Sequence, residues 1–179
     1  VHHYQDLIQL FNQTFSQSDN TRLVKGEDEP VYLPASDARD YHQIVFAHGY
    51  FASALHEIAH WCIAGRARRQ LEDYGYWYCP DGRNAIQQAD FEKVEVKPQA
   101  IECAFSLAAR FPFQVSTDNL NGVEADREGF AKQVEEQLTI LRQQGFPPRA
   151  ARFLDVLDAF YSSQSAEKST GRYSLEGAF

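Results

Sequence analysis

Tyr50-Phe51-Ala52-Ser53-Ala54-Leu55-His56-Glu57-Ile58-Ala59-His60-Trp61-Cys62-Ile63-Ala64 is the stretch that decides how this chain folds. It holds no proline or glycine, is apolar on nearly every side, and runs into Gly65, where a helix of this kind stops. Arg66, Arg68 and Arg69 follow, and basic residues suit a helix C-terminus. A helix apolar almost all round belongs at the centre of a domain. It nevertheless carries His56, Glu57 and His60, three polar groups that need partners once buried. Their H-E-x-x-H spacing supplies one. Residues four apart share a helix face, with Cβ atoms about 6 Å apart, so both imidazoles reach one metal ion.

Upstream, Ile44-Val45-Phe46-Ala47 reads as a buried strand ending at His48-Gly49. Thr21–Lys25 and Val31–Leu33 flank Gly26-Glu27-Asp28-Glu29-Pro30, a turn composition that predicts a hairpin. Tyr4–Phe15 has the apolar spacing of an amphipathic helix. Downstream, Tyr74–Tyr78 reads as a strand, Pro80-Asp81-Gly82 as a turn and Phe91–Val96 as a last short strand. Pro98 is placed to open a helix reaching about Arg110. Asp126–Gln144 and Pro148–Tyr161 repeat the helical pattern, with Gly145 between them. The expected fold class is α/β (α+β), a small mixed sheet packed by several helices, with the metal site on the central buried helix. Residues 1–161 form one domain, and the polar composition of 162–179 predicts a disordered tail.

Composition narrows the function. The chain has 179 residues, enough for a single core without staples, and 44% are apolar, which excludes intrinsic disorder. With 25 acidic and 17 basic side chains the net charge is −8, so the surface repels nucleic-acid phosphate and no direct nucleic-acid partner is expected. There is no apolar run long enough for a bilayer span and no signal-peptide pattern at Val1-His2-His3-Tyr4-Gln5, so the expectation is a cytoplasmic protein without a membrane partner. Cys62, Cys79 and Cys103 lack any CxxC spacing, against a disulfide framework or a thiolate zinc site.

Two histidines need a third ligand. Cys62 lies about 200° around the helix from His60 and points away; no histidine follows His60, so the metzincin pattern fails. A carboxylate remains. Glu102, within Ala100-Ile101-Glu102-Cys103-Ala104-Phe105, has the most apolar surroundings of the later acids, where an unpaired charge is costly, and is the first choice. Glu95, in a charged run just before the expected helix, is the second. Two histidines and one carboxylate suit zinc with a bound water or iron(II) with open positions. Glu57 is the general base in the zinc reading, and holds a ligand or a cationic substrate in the iron reading. His48 is placed to line the site, and Tyr76, Trp77 and Tyr78 with Asp81 and Arg83 could wall a pocket for an alkyl-ammonium chain.

Four stretches carry a family resemblance: Ile44–Gly49, Ala52–Gly65 with its H-W-C-I-A-G, Gly75-Tyr76-Trp77-Tyr78-Cys79-Pro80-Asp81-Gly82-Arg83, and Val94–Ala100. Together they resemble the bacterial elongation factor P hydroxylases, from about His2 to Tyr161. The resemblance implies a non-haem iron(II) enzyme that uses O₂ to hydroxylate a lysine of elongation factor P already bearing a β-lysyl group. It implies His56 and His60 as iron ligands with a carboxylate third, and an α/β-type fold similar to a bacterial metal-dependent endoribonuclease rather than to the jelly roll of most iron oxygenases. Two other readings compete with it: a zinc-dependent H-E-x-x-H peptidase, and a non-catalytic binding module stabilised by its metal.

Overall fold

The computed structural model describes residues 2–73, 81–117, 119 and 121–173, with side chains through residue 163. Along the chain lie α1 (Tyr4–Phe15), β1 (Thr21–Lys25), β2 (Val31–Leu33), β3 (His42–Phe46), α2 (Phe51–Ile63), a 3₁₀ turn (Arg68–Gln70), α3 (Ala85–Ala108), α4 (Arg127–Gln144) and α5 (Pro148–Tyr173). Helices pack around a small mixed sheet, the expected α/β (α+β) class.

The sheet corrects the hairpin. Its order is β1-β3-β2, so the two strands around Gly26–Pro30 do not pair with each other. β3 runs parallel to β1, placing Leu23 beside Ile44, and antiparallel to β2, placing Tyr32 beside Ile44 on the other side. Burial explains the order: Ile44 and Phe46 are fully enclosed, whereas β2 is half-buried throughout and takes an edge. At the end of β1 the backbone must come very close to β3. Gly26 donates its N–H to the Phe46 carbonyl at 2.8 Å, and a Cβ there would meet Val45 Cγ1 at 2.5 Å. His48 and Gly49, with φ of 56° and 71°, then turn the chain from β3 into α2.

α2 sits centrally, in contact with α1, β3, α3 and α5. Ala54, Leu55, Ile58, Ala59 and Cys62 are buried on its core face, beside the aromatic cluster of Phe11, Phe15, Trp61 and Phe153. The face carrying His56, Glu57 and His60 is not core but cavity wall. Gly65 is not what satisfies the end of this helix. Arg149 of α5 stacks its guanidinium over the Trp61 ring at 4.4 Å and donates to the carbonyls of Trp61, Cys62 and Ala64 at 2.7, 3.1 and 2.7 Å. Arg69 adds a bond to Ala64 at 2.9 Å, so basic residues serve these terminal carbonyls.

α3 brings the largest correction. Phe91–Val96 is helical, and Pro98 lies inside a single helix that begins at Ala85. Asn84 and Gln87 close a capping box, Asn84 accepting from Gln87 N at 3.0 Å and Gln87 Oε1 accepting from Asn84 N at 3.0 Å. Gln88, Phe91, Glu95, Gln99, Glu102 and Ser106 are buried at steps of three and four, the period of one helical face. α4 starts where expected, with Asp126 accepting from Gly129 N at 2.9 Å. α5 starts at Pro148 and continues past Tyr161 to Tyr173; the sequence from Ser162 to Thr170 contains no proline or glycine to stop it.

Candidate metal centre

α2 and α3 face each other across the site. On α2, His56 and His60 are one turn apart and present their Nε2 atoms 3.1 Å from each other. From α3, Glu95 brings Oε1 to 3.0 Å from His60 Nε2 and Oε2 to 3.7 Å from His56 Nε2. Donors bound about 2.0–2.2 Å from a shared ion sit about 3–3.5 Å from one another. His56, His60 and Glu95 meet that spacing and are grouped by the fold as a possible metal site, all donor atoms lying within 4.8 Å.

Glu102, the first-choice third ligand, is placed elsewhere. Its Oε2 lies 2.8 Å from His56 Nδ1, the ring nitrogen opposite the one facing Glu95. Glu95 and Glu102 are seven residues apart on α3, two helical turns, so both point toward α2 but one level apart. The geometry therefore puts the second-choice acid, Glu95, in the possible donor cluster and sets Glu102 against the other nitrogen of the His56 ring. A carboxylate on Nδ1 holds the proton there and leaves the Nε2 lone pair for a metal. Apolar surroundings in the sequence ranked Glu102 first, whereas Glu95 is the more deeply buried of the two, 3% against 8% exposed, inside a helix the sequence did not show.

Glu95 is itself held. Gln99, one turn on and 1% exposed, donates from Nε2 to Glu95 Oε2 at 3.2 Å and to the Ser116 carbonyl at 2.8 Å, while its Oε1 accepts from Ser116 N at 3.0 Å. The sequence reading passed over Gln99; its one signal is the i,i+4 spacing from Glu95, visible only once the segment is known to be helical.

Burial opposes ionisation of Glu95, but the hydrogen bond and charge of His60, the charge of His56 and the Gln99 bond bring its pKa down to about 2. Burial also opposes the charged form of His56, yet Glu102, by charge and hydrogen bond, with Glu95 and Glu57 behind it, holds its pKa well above the ordinary value. The Glu57 carboxyl is pushed up by burial, with His56 and His60 pulling the other way. Cys62 sits on the core face, its thiol pushed well up by burial, as expected of a residue pointing away from the site.

These groups line a cavity of about 1090 Å³, whose wall also includes Ile44, Ile63, Phe91, Arg83 and, toward its mouth, Glu29, Arg69 and Asp73. Asp73 pairs with Arg68 and exchanges backbone hydrogen bonds with Tyr32 at 2.8 and 3.0 Å, tying this segment to the edge of β2. Of the expected pocket residues, Arg83 alone is shown lining the cavity, and its guanidinium is engaged with Gln88 Oε1 at 2.9 Å, the Thr117 carbonyl at 2.8 Å and the Phe91 ring at 3.8 Å. Asp81 does not line it: its carboxylate accepts from Gly82 N, Asn121 N and Asn121 Nδ2 at 2.7, 2.9 and 2.7 Å, closing a surface loop. His48 is exposed, packed on Tyr50 and away from the cavity, because its left-handed backbone serves the turn into α2. Tyr76, Trp77 and Tyr78 lie outside the described residues.

Residues 10–170 match the elongation factor P hydroxylase family. The chain belongs to that family. A relative from Haemophilus influenzae, described as an elongation factor P lysine hydroxylase, is 54% identical over 163 residues, covering 91% of this chain and 92% of the relative. The family match includes α2, α3 and every residue of the His56-His60-Glu95-Glu102 group.

Proposed function

We propose that this protein hydroxylates the β-lysylated lysine of elongation factor P, with iron(II) held by His56, His60 and Glu95, O₂ giving one oxygen atom to the C–H bond and the other leaving as water with two electrons from an external reductant. The observation that carries the reading is the meeting of two imidazoles and one ionised carboxylate on the wall of a cavity, in a member of a hydroxylase family. That donor set fits the metal: the Nε2 atoms and Glu95 converge, and Glu102 secures the far side of His56. Iron(II) with open coordination positions supplies the oxidation of an unactivated C–H bond, which acid–base side chains cannot perform.

The chain's own residues do the rest. Glu102 keeps the His56 proton on Nδ1, Gln99 aims Glu95, and the apolar stretch of wall at Ile44, Ile63 and Phe91 suits the methylene stem of a lysine arm. A translation factor as substrate places the work in the cytoplasm, and among the described residues no helix is long and apolar enough to cross a membrane.

The test is anaerobic reconstitution with iron(II), addition of a chemical reductant such as ascorbate, admission of air, and intact-mass analysis of β-lysylated elongation factor P. A gain of one oxygen atom, dependent on iron, is the expected result. An unchanged mass, together with cleavage of casein by the zinc-loaded protein, overturns the reading in favour of a peptidase.

A further inference from the structure

The acids of the cavity wall are accounted for, with one exception. Glu95 and Glu102 face the histidines, Asp73 pairs with Arg68, and Glu29 is exposed at the mouth. Glu57 has no hydrogen bond or ion pair among the described residues, although it lies on the same wall and is largely buried. Successive helical residues turn by about 100°, which puts Glu57 about 60° from His60, on the flank of the metal-facing side of α2. The neighbouring groups that act most strongly on it are His56, His60, Glu95 and Glu102.

A carboxyl placed on the cavity wall with its hydrogen-bonding capacity unmet can be partnered by a cationic donor on a bound molecule. Hydroxylation of a C–H bond does not use an activated water as nucleophile, so the base role this position has in hydrolases is not called on. We propose that Glu57 is the specificity-determining carboxylate of this enzyme, receiving an ammonium group of the β-lysyl-lysine arm and so setting the arm beside the metal. The assignment rests on the hydroxylase reading for the identity of the arm. The residues that would meet the arm's two chemical parts are both present: a carboxylate for the amine and the apolar wall at Ile44, Ile63 and Phe91 for the methylenes.

The test compares two arms on two proteins. One elongation factor P carries the β-lysyl group; the other carries a hexanoyl group on the same lysine, the same carbon chain without its amines. Wild-type protein should show a KM higher for the hexanoyl arm by about tenfold or more, the scale for leaving one member of a close charge pair unpaired. Glu57→Gln should raise the KM for the β-lysyl arm by a similar factor, keep kcat within a few-fold, and no longer distinguish the two arms. A second measurement needs no turnover: zinc-loaded wild type should bind the β-lysyl form more tightly than the hexanoyl form by calorimetry, and zinc-loaded Glu57→Gln should bind both alike, with unchanged zinc content. A collapse of kcat at constant KM assigns Glu57 to proton transfer and overturns the proposal. Loss of zinc with Glu57→Gln makes it a ligand and overturns it too. Failure of wild type to add oxygen removes the hydroxylase reading alone, because the calorimetric comparison still tests the ammonium contact.

Discussion

Glu95→Gln and Glu102→Gln, made separately, distinguish an acid that holds the metal from an acid that holds a ligand. Glu102 reaches His56 Nδ1 at 2.8 Å, a charge-assisted hydrogen bond worth about 1.5–3 kcal/mol. At about 1.4 kcal/mol per factor of ten, that is a loss of about ten- to hundredfold in metal affinity, the range found when a residue supporting a ligand is changed. In Glu102→Gln the three donors remain and the metal should still bind. Glu95→Gln removes the anionic donor itself, 3.0 Å from His60 Nε2, while Gln99 stays tied to the Ser116 backbone at 2.8 and 3.0 Å to preserve the local shape. Its loss should exceed the hundredfold limit of supporting changes and strip metal during gel filtration. Anaerobic competition for iron(II) and zinc(II) against a chromophoric chelator reads both affinities, and far-UV circular dichroism checks that the variants are folded. If Glu102→Gln empties the site while Glu95→Gln keeps its metal, the two acids have been assigned in the wrong order and the donor geometry derived from α3 is mistaken.

Three further outcomes follow from the packing around the site. Gln99→Leu cuts both the Glu95 bond and the Ser116 bonds, and should lower metal affinity by about tenfold; unchanged affinity in chelator competition would mean that the metal alone orders Glu95. Arg149→Ala removes the donor to the Trp61 and Cys62 carbonyls, Ala64 keeping Arg69, and should cost about 2 kcal/mol in urea denaturation, with Arg149→Lys restoring only part because an ammonium lacks the planar guanidinium that stacks on Trp61. In metal-stripped protein, Glu95 has a folded pKa near 2 against an ordinary 4.5, so its contribution to stability is complete above the ordinary value and is lost as the pH falls toward 2. Thermal melts of the metal-stripped protein across that window should flatten in Glu95→Gln; an identical pH slope in both proteins refutes the depressed value.

What the sequence made legible, and what it hid, follow from one cause. Hydrophobic periodicity reports burial only where buried residues are apolar. α1, α4 and the first turns of α5 obey it, with stripes such as Phe130, Val134, Leu138 and Leu141, and their positions are read correctly. α2 obeys it on its core face, and the H-E-x-x-H spacing marks the other face independently. α3 breaks it: its inward stripe includes Gln88, Glu95, Gln99 and Glu102, so the buried face looks solvated and the segment around Val94 and Val96 looks like a strand. Pro98 adds to the error, since it removes a helical hydrogen bond and is most at home in a first turn. The capping box at Asn84 and Gln87 was the readable signal for the true start. The sheet order was hidden for another reason: a turn-rich connection between short strands favours a hairpin locally, and only the fuller burial of β3 decides that it takes the middle.

The residues that obscure α3 in the sequence are those that give the centre its character. An H-E-x-x-H helix supplies two imidazoles and a glutamate, and that much is compatible with hydrolysis, oxidation or a structural ion. α3 narrows the choice. Glu95, held by Gln99, stands with His56 and His60 in a group of two nitrogens and one oxygen that could hold a metal ion, on the wall of the cavity. Glu102, two turns further along the same helix, meets the Nδ1 of His56 at 2.8 Å, so one helix brings a carboxylate to each ring nitrogen of His56. A closed structural site would need a fourth protein donor in this group, and the cluster among the described residues contains His56, His60 and Glu95 without one. On the same cavity wall Glu57 has no hydrogen-bond or ion-pair partner among the described residues, so the helix that carries the two imidazoles also presents a carboxyl that an aliphatic amine could answer.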